Sequence, residues 1–467
     1  MKIENRATLL AGEEPELRAD AVGIIETALE AVEPERLLEG VFERSGGTVR
    51  IDGRTYDLDA LDDVFVVGAG KGAGALTAAV LDRLGQYVSE SIVVEKDAST
   101  IDPTELETAG NVTVLEASHP IPTRASRESA DRVLELADGA GADDLAICCI
   151  TGGASALLTA PDGLDLGAIV ETTDALLRSG APIEDVNAVR KHLSEIKGGR
   201  LVERFAPAET VSLIVVDEVA GEPWGPTAPD ATTYADALDV LERHGLTESV
   251  PTTVGDRLRR GAEGERPETL DRDAIDALPV RNVVLADASA VCQPAADAAR
   301  ARGYEPLFLS ARLEGEASEV GLVHAGIATD AVEAGRPIEP PTAIVTGGET
   351  TVTVGENAGN GGPNQETALG FARGIDGWEG IVGAFVGTDG TDGPTELAGA
   401  MATGRTAQRA TAAAVPISEA LDRNDAAATV KEIGEAVVTG ATATNLMDLR
   451  VVLVGEEGSD RNDRGEG

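Results

Sequence analysis

Short apolar runs alternate with amphipathic stretches along almost the whole chain. The runs lie at 63–69, 91–96, 144–151, 210–217, 282–287, 341–348, 380–388 and 449–455. Their length and their Val and Ile content predict buried strands, whereas stretches such as 74–86 and 288–303 have the spacing of helices. Strands that alternate with helices predict an α/β fold with a mostly parallel sheet. In such folds, ligands bind at loops that leave the carboxyl ends of strands.

The net charge of the chain excludes some classes of binding partner. The 467 residues include 38 Lys and Arg against 82 Asp and Glu, which gives a formal net charge of −44. Nucleic acid and anionic membranes both require a basic surface, so we expect neither as a partner. Hydrophobic residues make up 42% of the chain, enough for a large core. The N-terminus lacks an apolar signal core and no stretch is long enough to span a membrane, which predicts a cytoplasmic protein.

The basic residues are themselves unusual. Only six are lysines, at positions 2, 71, 96, 191, 197 and 431, and aromatic residues make up only 3% of the chain. Many acids, few lysines and small apolar residues predict a protein of a very salty cytosol, where salt screens the self-repulsion.

A polar, turn-rich stretch at about 250–280 predicts a domain boundary. We therefore expect an N-terminal α/β domain over 1–278 and a C-terminal α/β domain over 279–458. The charged, glycine-rich end at 459–467 is predicted to be disordered.

Two glycine-rich turns each follow a strand and precede a helix. In VVGAGKGAGAL (66–76), glycines at 68, 70 and 72 would let the backbone approach a phosphate, and Lys71 supplies a cation among them. With Glu95 at the end of the next strand, the turn also fits a dinucleotide site, and packing is the plainer alternative. In TGGASALL (151–158), Gly153 and Ser155 suit an anion site or an ordinary helix cap equally well.

The segment NAVRKHLSEIKGGRL (187–201) concentrates cations in an acidic chain. It contains Arg190, Lys191, Lys197 and Arg200, with Glu195 as its one acidic residue. A solvated helix face is the alternative, but the cluster favours a site for a carboxylate or a phosphate.

Acidic or glycine-rich turns complete the set of candidates. Asp217, Glu218 and Glu222 follow a strand and could hold Mg²⁺, as could Asp389 in GTDGTDGPTELAGA (387–400). The segment ENAGNGGPNQE (356–366) is too rich in glycine to be a strand. Phosphate cradles, carboxylates for a metal and cations for an anionic acceptor are together the components of phosphoryl transfer.

The order of these motifs resembles the glycerate 2-kinase family, whose C-terminal half is called the MOFRL domain. The resemblance covers roughly residues 15 to 455, through VVGAGKGA, EASHPIP (116–122), TGGASALL, NAVRKHLSEIKGGRL, GPTAPDATT (225–233), GGETTV (347–352), GGPNQE, GTDGTDGPTELAGA and ATATNLMDL (441–449). It implies two α/β domains with mostly parallel, Rossmann-like sheets and an active-site cleft between them. It also implies transfer of the γ-phosphoryl group of Mg-ATP to the 2-hydroxyl of D-glycerate, and it leaves a homodimer open.

The resemblance also implies residue roles. As catalytic residues it implies Lys71, Asp389, Glu218 and Glu222, of which the three carboxylates would hold the metal. As residues that bind substrate or phosphate it implies Gly153, Ser155, His119, Arg190, Lys191 and Lys197. As nucleotide-binding residues it implies Gly68, Gly70, Gly72, Gly361, Gly362, Asn364 and Glu366.

The chain departs from the family pattern at several of these positions. Glu218 and Glu222 stand where the family usually has aspartate, and Pro363 stands where it has an arginine. Two other functions therefore stay open at this point. One is an NAD(P)-dependent reductase of a hydroxy acid, which the Gly68 turn and Glu95 favour, and the other is a catalytically silent, ligand-binding member of the kinase family.

Overall fold

Strands form at each of the apolar runs, and all of them are mostly buried except the one at 282–287, which is half-buried along most of its length. The computed structural model describes residues 2–97, 111–216, 224–355, 358–442 and 444–456. Its strands are β1 Phe42–Ser45, β2 Thr48–Ile51, β3 Arg54–Asp57, β4 Val64–Ala69, β5 Glu90–Glu95, β6 Val112–Glu116, β7 Leu145–Ile150, β8 Glu209–Val215, β9 Val280–Ala286, β10 Glu305–Ser310, β11 Thr342–Gly348, β12 Ile381–Gly387, β13 Gly399–Thr403, β14 Ala436–Val437 and β15 Asp448–Val454.

Helices occupy most of the segments between these strands. Their bounds are Arg6–Leu9, Pro15–Ala31, Pro34–Leu37, Ala73–Leu84, Arg124–Asp138, Ala154–Leu157, Leu166–Arg178, Ile183–His192, Arg200–Phe205, Tyr234–Arg243, Thr252–Ala262, Arg272–Asp276, Cys292–Ala301, Ala317–Ala334, Pro363–Gly374, Thr406–Ala412, Ile417–Asp422 and Ala426–Glu432. A single turn of 3₁₀ helix covers Gly85–Tyr87. The two helices that the sequence predicts at 74–86 and 288–303 are therefore confirmed.

The first large sheet has the strand order β6-β5-β4-β7-β8-β9. The pairs β5–β6, β4–β5, β4–β7 and β7–β8 are all parallel, as the alternating pattern predicts. Strands β4 and β7 are buried along their whole length and lie side by side. Because they run in the same direction, the glycine turns that follow them meet at one edge of the sheet, where the candidate site lies.

The second large sheet departs from the mostly parallel prediction. Its order is β10-β11-β15-β12-β13-β14, and of these pairs only β10–β11 is parallel. Strand β15 lies between β11 and β12 and is antiparallel to both. All three strands are fully buried, and a continuous apolar run gives the same signal in either direction, so the sequence could not reveal this.

The chain divides into two compact units, and one of them is discontinuous. The parallel-sheet unit comprises the described residues of 37–285, and the mixed-sheet unit comprises those of 2–36 and 286–456. The sequence instead predicts a single boundary at 278/279. The difference arises because β9 belongs to the first sheet, whereas the helix Pro15–Ala31 packs on β12 and β15. The end at 459–467 lies outside the described residues.

A small antiparallel sheet in the parallel-sheet unit was not predicted. Strands β1, β2 and β3 are mostly polar and expose most of their residues, so they lack the apolar runs that marked the other strands. Within the described ranges, no helix is long and apolar enough to cross a bilayer.

Candidate active site

A buried carboxylate closes the glycine turn after β4. The backbone N–H groups of Gly72 and Gly74 each donate to Glu95 over 3.1 Å, and Glu95 is 3% exposed. Its carboxylate thus lies at the N-terminus of the helix Ala73–Leu84, where a phosphate would accept the same donors. Burial raises the pKa of Glu95, and the three backbone N–H groups that it accepts oppose this rise.

The other glycines of this turn are needed for packing. A Cβ at Gly68 would collide with Thr77, and a Cβ at Gly70 would collide with Thr151. The geometry therefore argues against the phosphate contacts that the sequence predicts at 68, 70 and 72. It also leaves no place for Glu95 on the ribose of a dinucleotide, because that carboxylate already serves as a helix cap.

Lys71 extends from this turn toward the glycine turn that follows β7. Its backbone N–H donates to the carbonyl of Gly152 over 2.8 Å, and the Thr151 hydroxyl donates to the carbonyl of Lys71 over 2.8 Å. Its Cγ lies 3.5 Å from the position that a Cβ would take at Gly153. Among the described residues the ammonium group has no hydrogen bond or ion pair, so it is available to a ligand.

The turn after β7 carries free backbone donors. The N–H groups of Gly152, Gly153 and Ser155 have no acceptor within the described part of the chain, and no side chain caps the short helix Ala154–Leu157. Gly153 has a φ of 86°, and a Cβ there would lie 3.0 Å from the ring of His119. Of the two open interpretations of this turn, the structure therefore favours anion binding over a helix cap.

Two cations reach a small cavity next to this turn. Arg190 and Lys197 line it together with Ser155, Thr159 and Ser194, and its volume is ≈ 20 Å³. This enclosed part has room for about one water molecule, and it opens into a space of ≈ 300 Å³ that includes solvent. Apolar residues form the remainder of the lining, namely Pro122, Ala156, Ala160, Pro161, Ile169 and Leu193, together with the hydroxyl-bearing Thr173.

Neither cation has an acidic partner in this cavity. Lys197 is 8% exposed, and its Nζ donates to the carbonyl of Leu158. Burial, and then the charge of Arg190, lower the pKa of Lys197 to about 7. The Nη2 atom of Arg190 is buried and has no hydrogen-bond partner, and burial lowers the pKa of this guanidinium. A bound anion would satisfy both groups.

Lys191 does not belong to this cluster, although the sequence placed it there. Its ammonium group pairs with Asp230 over 2.7 Å, and Asp230 is 3% exposed. Arg200 donates to the carbonyls of Lys191 and Ser194 over 3.0 and 2.7 Å. Lys191 and Arg200 thus hold the segment 187–201 in place. Arg190 and Lys197 are the two cations that line the cavity.

His119 lies beside the free glycine turn as a neutral imidazole. Burial, followed by the charges of Lys71, Lys96 and Arg190, lowers the pKa of His119 to about 4. Near neutral pH the ring therefore carries no charge and can accept a hydrogen bond through one of its nitrogens. The structure supports its predicted position at the site but not a role as a cation.

In the mixed-sheet unit, a carboxylate also caps the glycine turn before the helix Pro363–Gly374. Asp392 accepts the backbone N–H groups of Asn364 and Gln365 over 2.9 and 2.8 Å, and a Cβ at Gly362 would collide with it. Burial raises the pKa of Asp392 to about 7. The N–H groups of residues 364 and 365 are thus not free for a nucleotide. This weakens the nucleotide contacts predicted at Gly361, Gly362 and Asn364.

Two further carboxylates complete this network. Asn364 Nδ2 donates to Asp448 over 2.6 Å, and Asp448 pairs with the fully buried Arg450 over 2.5 Å. Glu366 is 3% exposed and accepts a hydrogen bond from Asn424 over 3.1 Å. Sequence reasoning missed Asp448 and Arg450, and their position inside an apolar strand gave no signal of a polar role.

Asp389 is the one predicted metal ligand that the structure describes. Its Oδ1 accepts the backbone N–H and the hydroxyl of Thr391 over 2.9 and 3.0 Å, and its Oδ2 has no partner in the described ranges. Glu218 and Glu222 lie outside those ranges. Where the structure describes the chain, no three His, Cys, Asp or Glu side chains form a cluster that could hold a metal ion without a substrate.

Comparison with known proteins identifies both parts of the chain. Residues 20–259 match the family model described as "Domain of unknown function (DUF4147)", and residues 342–448 match the MOFRL family. A putative hydroxypyruvate reductase from Agrobacterium vitis is 38% identical over 397 residues, which is 84% of this chain and 87% of the relative.

The relatives that span more of the chain are glycerate kinases. A glycerate 2-kinase from Pyrococcus horikoshii is 35% identical over 444 residues, covering 94% of this chain and 98% of the relative. The crystal structure of a glycerate kinase from Thermotoga maritima superimposes with a TM-score of 0.78 at 34% identity, covering 94% of this chain and 99% of that one. The chain therefore belongs to the glycerate 2-kinase family.

Proposed function

We propose that this protein transfers the γ-phosphoryl group of Mg-ATP to the 2-hydroxyl of D-glycerate, giving 2-phosphoglycerate. The observation that carries the proposal is the glycine turn after β7. Its N–H groups at Gly152, Gly153 and Ser155 have no acceptor in the described ranges, and the cations that flank it have no acidic partner there. The turns before the helices Ala73–Leu84 and Pro363–Gly374 are already capped by carboxylates. The printed names of the relatives support glycerate as the acceptor.

Each group at this turn has a proposed role in the transfer. Arg190 and Lys197 hold the carboxylate of glycerate, because the cavity offers them no other counter-charge. Lys71 and the free N–H groups of the turn stabilise the negative charge that builds up on the phosphoryl oxygens as the bond breaks. The neutral ring of His119 accepts a hydrogen bond from the acceptor and adds no charge of its own.

Asp389 fits the requirements of a magnesium site. Mg²⁺ is commonly held by one or two carboxylates together with substrate phosphates, and Asp389 offers one carboxylate oxygen that has no partner among the described residues. When bound, the ion would neutralise charge on the phosphate oxygens. Glu218 and Glu222 stay predicted ligands, and the nucleotide role of Glu366 stays a prediction as well.

The two competing functions can now be weighed. The reductase interpretation depended on the Gly68 turn and Glu95. The Glu95 carboxylate accepts the N–H groups of Gly72 and Gly74 in that turn, so neither the turn nor the carboxylate is free for a dinucleotide. The silent-member interpretation depended on Pro363 and the two glutamates. Pro363 is the first residue of its helix, a position that suits proline because no helical N–H is needed there. It supplies no charge in place of the family's arginine. An assay of turnover therefore decides between an active kinase and a silent member of the family.

The deciding experiment is a coupled ATP assay with D-glycerate in molar KCl, with the position of the phosphate determined by phosphorus NMR. We expect 2-phosphoglycerate, and no product without Mg²⁺. A panel of other hydroxy acids serves as the comparison. If the protein neither hydrolyses ATP nor transfers phosphate to any acceptor, the kinase function is contradicted. If the product is 3-phosphoglycerate, the assigned position is contradicted.

We further propose that the protein works in a salt-rich cytoplasm. The net charge of −44 is screened within about 3 Å at 1 M salt but only within about 10 Å at 0.1 M. We therefore expect folded structure to be lost when KCl falls from molar to tens of millimolar, as measured by far-ultraviolet circular dichroism. A homodimer stays a prediction.

The control for this experiment is sucrose at equal osmolality and low salt. Sucrose favours compact states without screening charge, so it should restore the fold less well than KCl if repulsion is the cause. An unchanged spectrum across the KCl range would exclude salt adaptation.

A further inference from the structure

Among the described residues, no carboxylate pairs with the buried amine of Lys197. Its side chain is 8% exposed, and its Nζ donates to the neutral carbonyl of Leu158. An ammonium ion in such a place loses its hydration without gaining a compensating negative charge, which favours the neutral form.

The charged and titratable groups around Lys197 do not compensate for the cost of burying its ammonium ion. From the helix Ile183–His192 comes Arg190, a second cation, and the helix Leu166–Arg178 contributes only Ile169 and Thr173. The segment 155–161 and Ser194 contribute hydroxyls and apolar groups. None of the residues that line the cavity is a carboxylate.

The carboxylates near this loop are already bound by other cations. Asp230 lies beside Gly198 and pairs with Lys191, and Glu195 pairs with Arg204 over 3.7 Å. The cavity therefore presents two basic groups and no acid, with a pKa near 7 for one of the two.

We propose that Lys197 is a neutral amine in the ligand-free cavity and becomes an ammonium ion when the carboxylate of the acceptor enters. Each bound acceptor thus brings one proton from solvent onto Nζ, where the new ion pair stabilises it. This inference rests on the proposed function, because it takes the acceptor to be a small hydroxy acid.

The sign of the pH dependence follows from proton linkage. The bound state holds one more proton than the free state, so binding weakens as pH rises above the pKa of the free amine. The carboxylate of glycerate ionises near pH 3.5 and His119 near pH 4, so neither changes charge in this range. We expect the Kd for D-glycerate to rise about tenfold per pH unit between about pH 7.5 and 9.

The small number of lysines permits a direct test by NMR. With ¹³Cε-labelled lysine the chain gives six signals, and Lys197→Met identifies the one from Lys197. At pH 8 we expect that signal at the shift of a neutral amine without ligand, and at the shift of an ammonium ion with saturating D-glycerate. An ammonium shift in the ligand-free protein at pH 8 to 9 would overturn the inference.

Calorimetry tests the linkage itself, without ATP and without turnover. Titration with D-glycerate in two buffers of different ionisation enthalpy at pH 8 should show uptake of nearly one proton. Lys197→Arg keeps a permanent charge, so it should bind with no proton uptake and little pH dependence. If Lys197→Met does not fold, calorimetry of Lys197→Arg and the NMR titration of the wild-type protein still test whether Lys197 takes up a proton.

The results separate this inference from the proposed function. Phosphorylation of glycerate with a pH-independent Kd and no proton uptake would overturn the inference and leave the kinase function intact. Proton-linked binding of D-glycerate without any phosphorylation would support the inference and contradict the kinase function.

Discussion

Replacing Lys71 with alanine should lower kcat for glycerate phosphorylation by about 100- to 1000-fold, equivalent to about 2.7–4 kcal/mol of transition-state stabilisation. The Lys71 side chain passes the free glycine turn with its Cγ, and its ammonium group has no partner among the described residues. Its loss removes charge stabilisation from the phosphoryl oxygens as the bond breaks, so the effect should fall on kcat. Steady-state kinetics in molar KCl measures it.

The Lys71→Ala experiment has two comparisons. Lys431→Ala removes a lysine that is exposed on the mixed-sheet unit and should leave kcat unchanged. Lys71→Arg should restore little activity, because a planar guanidinium does not fit a position shaped for a point charge. A Lys71→Ala protein with normal kcat and a lower melting temperature would show that this lysine is structural.

The strands were predictable because their signal is local. Runs such as VFVVGA and LAICCI are apolar at every position, and both form strands buried along their full length. The strand direction was not predictable for the second sheet, since β11, β12 and β15 are all mainly apolar and buried along their full length. Polar strands such as β1 were missed because their stability depends on pairing with neighbours and not on their own composition.

The residues of the candidate site were predictable only where their charge differs from the average charge of the chain. Arg190 and Lys197 stood out as cations in an acidic protein, and both line the cavity. Lys191 stood out for the same reason, but its partner Asp230 lies 39 residues away and cannot be paired with it from sequence. A motif reports which residues are present, whereas partners that are distant in sequence decide whether they are free.

The glycine turns illustrate the same limit. VVGAGKGAGAL looks like a phosphate cradle, and the family resemblance implies nucleotide contacts in GGPNQE. In each turn, a carboxylate 21 to 28 residues distant accepts the N–H groups that a phosphate would need. TGGASALL looked no better than an ordinary cap, and it is the turn with free donors. The difference depends on Glu95 and Asp392, whose roles appear only after the chain folds.

The discontinuous unit was unpredictable for a related reason. The helix Pro15–Ala31 has an apolar face, but the pattern does not say which sheet will cover it. Arg18 in this helix is 1% exposed and donates two hydrogen bonds to Glu435, over 2.8 and 2.6 Å. Arg409 pairs with the same carboxylate. This buried ion cluster fixes the N-terminal helix to the mixed-sheet unit.

Glu435→Ala should accordingly lower the free energy of unfolding by about 3–5 kcal/mol, because it removes the buried carboxylate that Arg18 and Arg409 share. Burial lowers the pKa of Arg18, and the charges of Glu13 and Glu14 oppose this shift. Urea unfolding in molar KCl, followed by circular dichroism, measures the change without altering ionic strength. The matched control is Glu30→Ala, which removes the partner of Arg36 in an ion pair whose side chains are 52% and 50% exposed. Exposed pairs contribute about 0–1 kcal/mol, so equal losses in the two variants would contradict the role of the buried cluster.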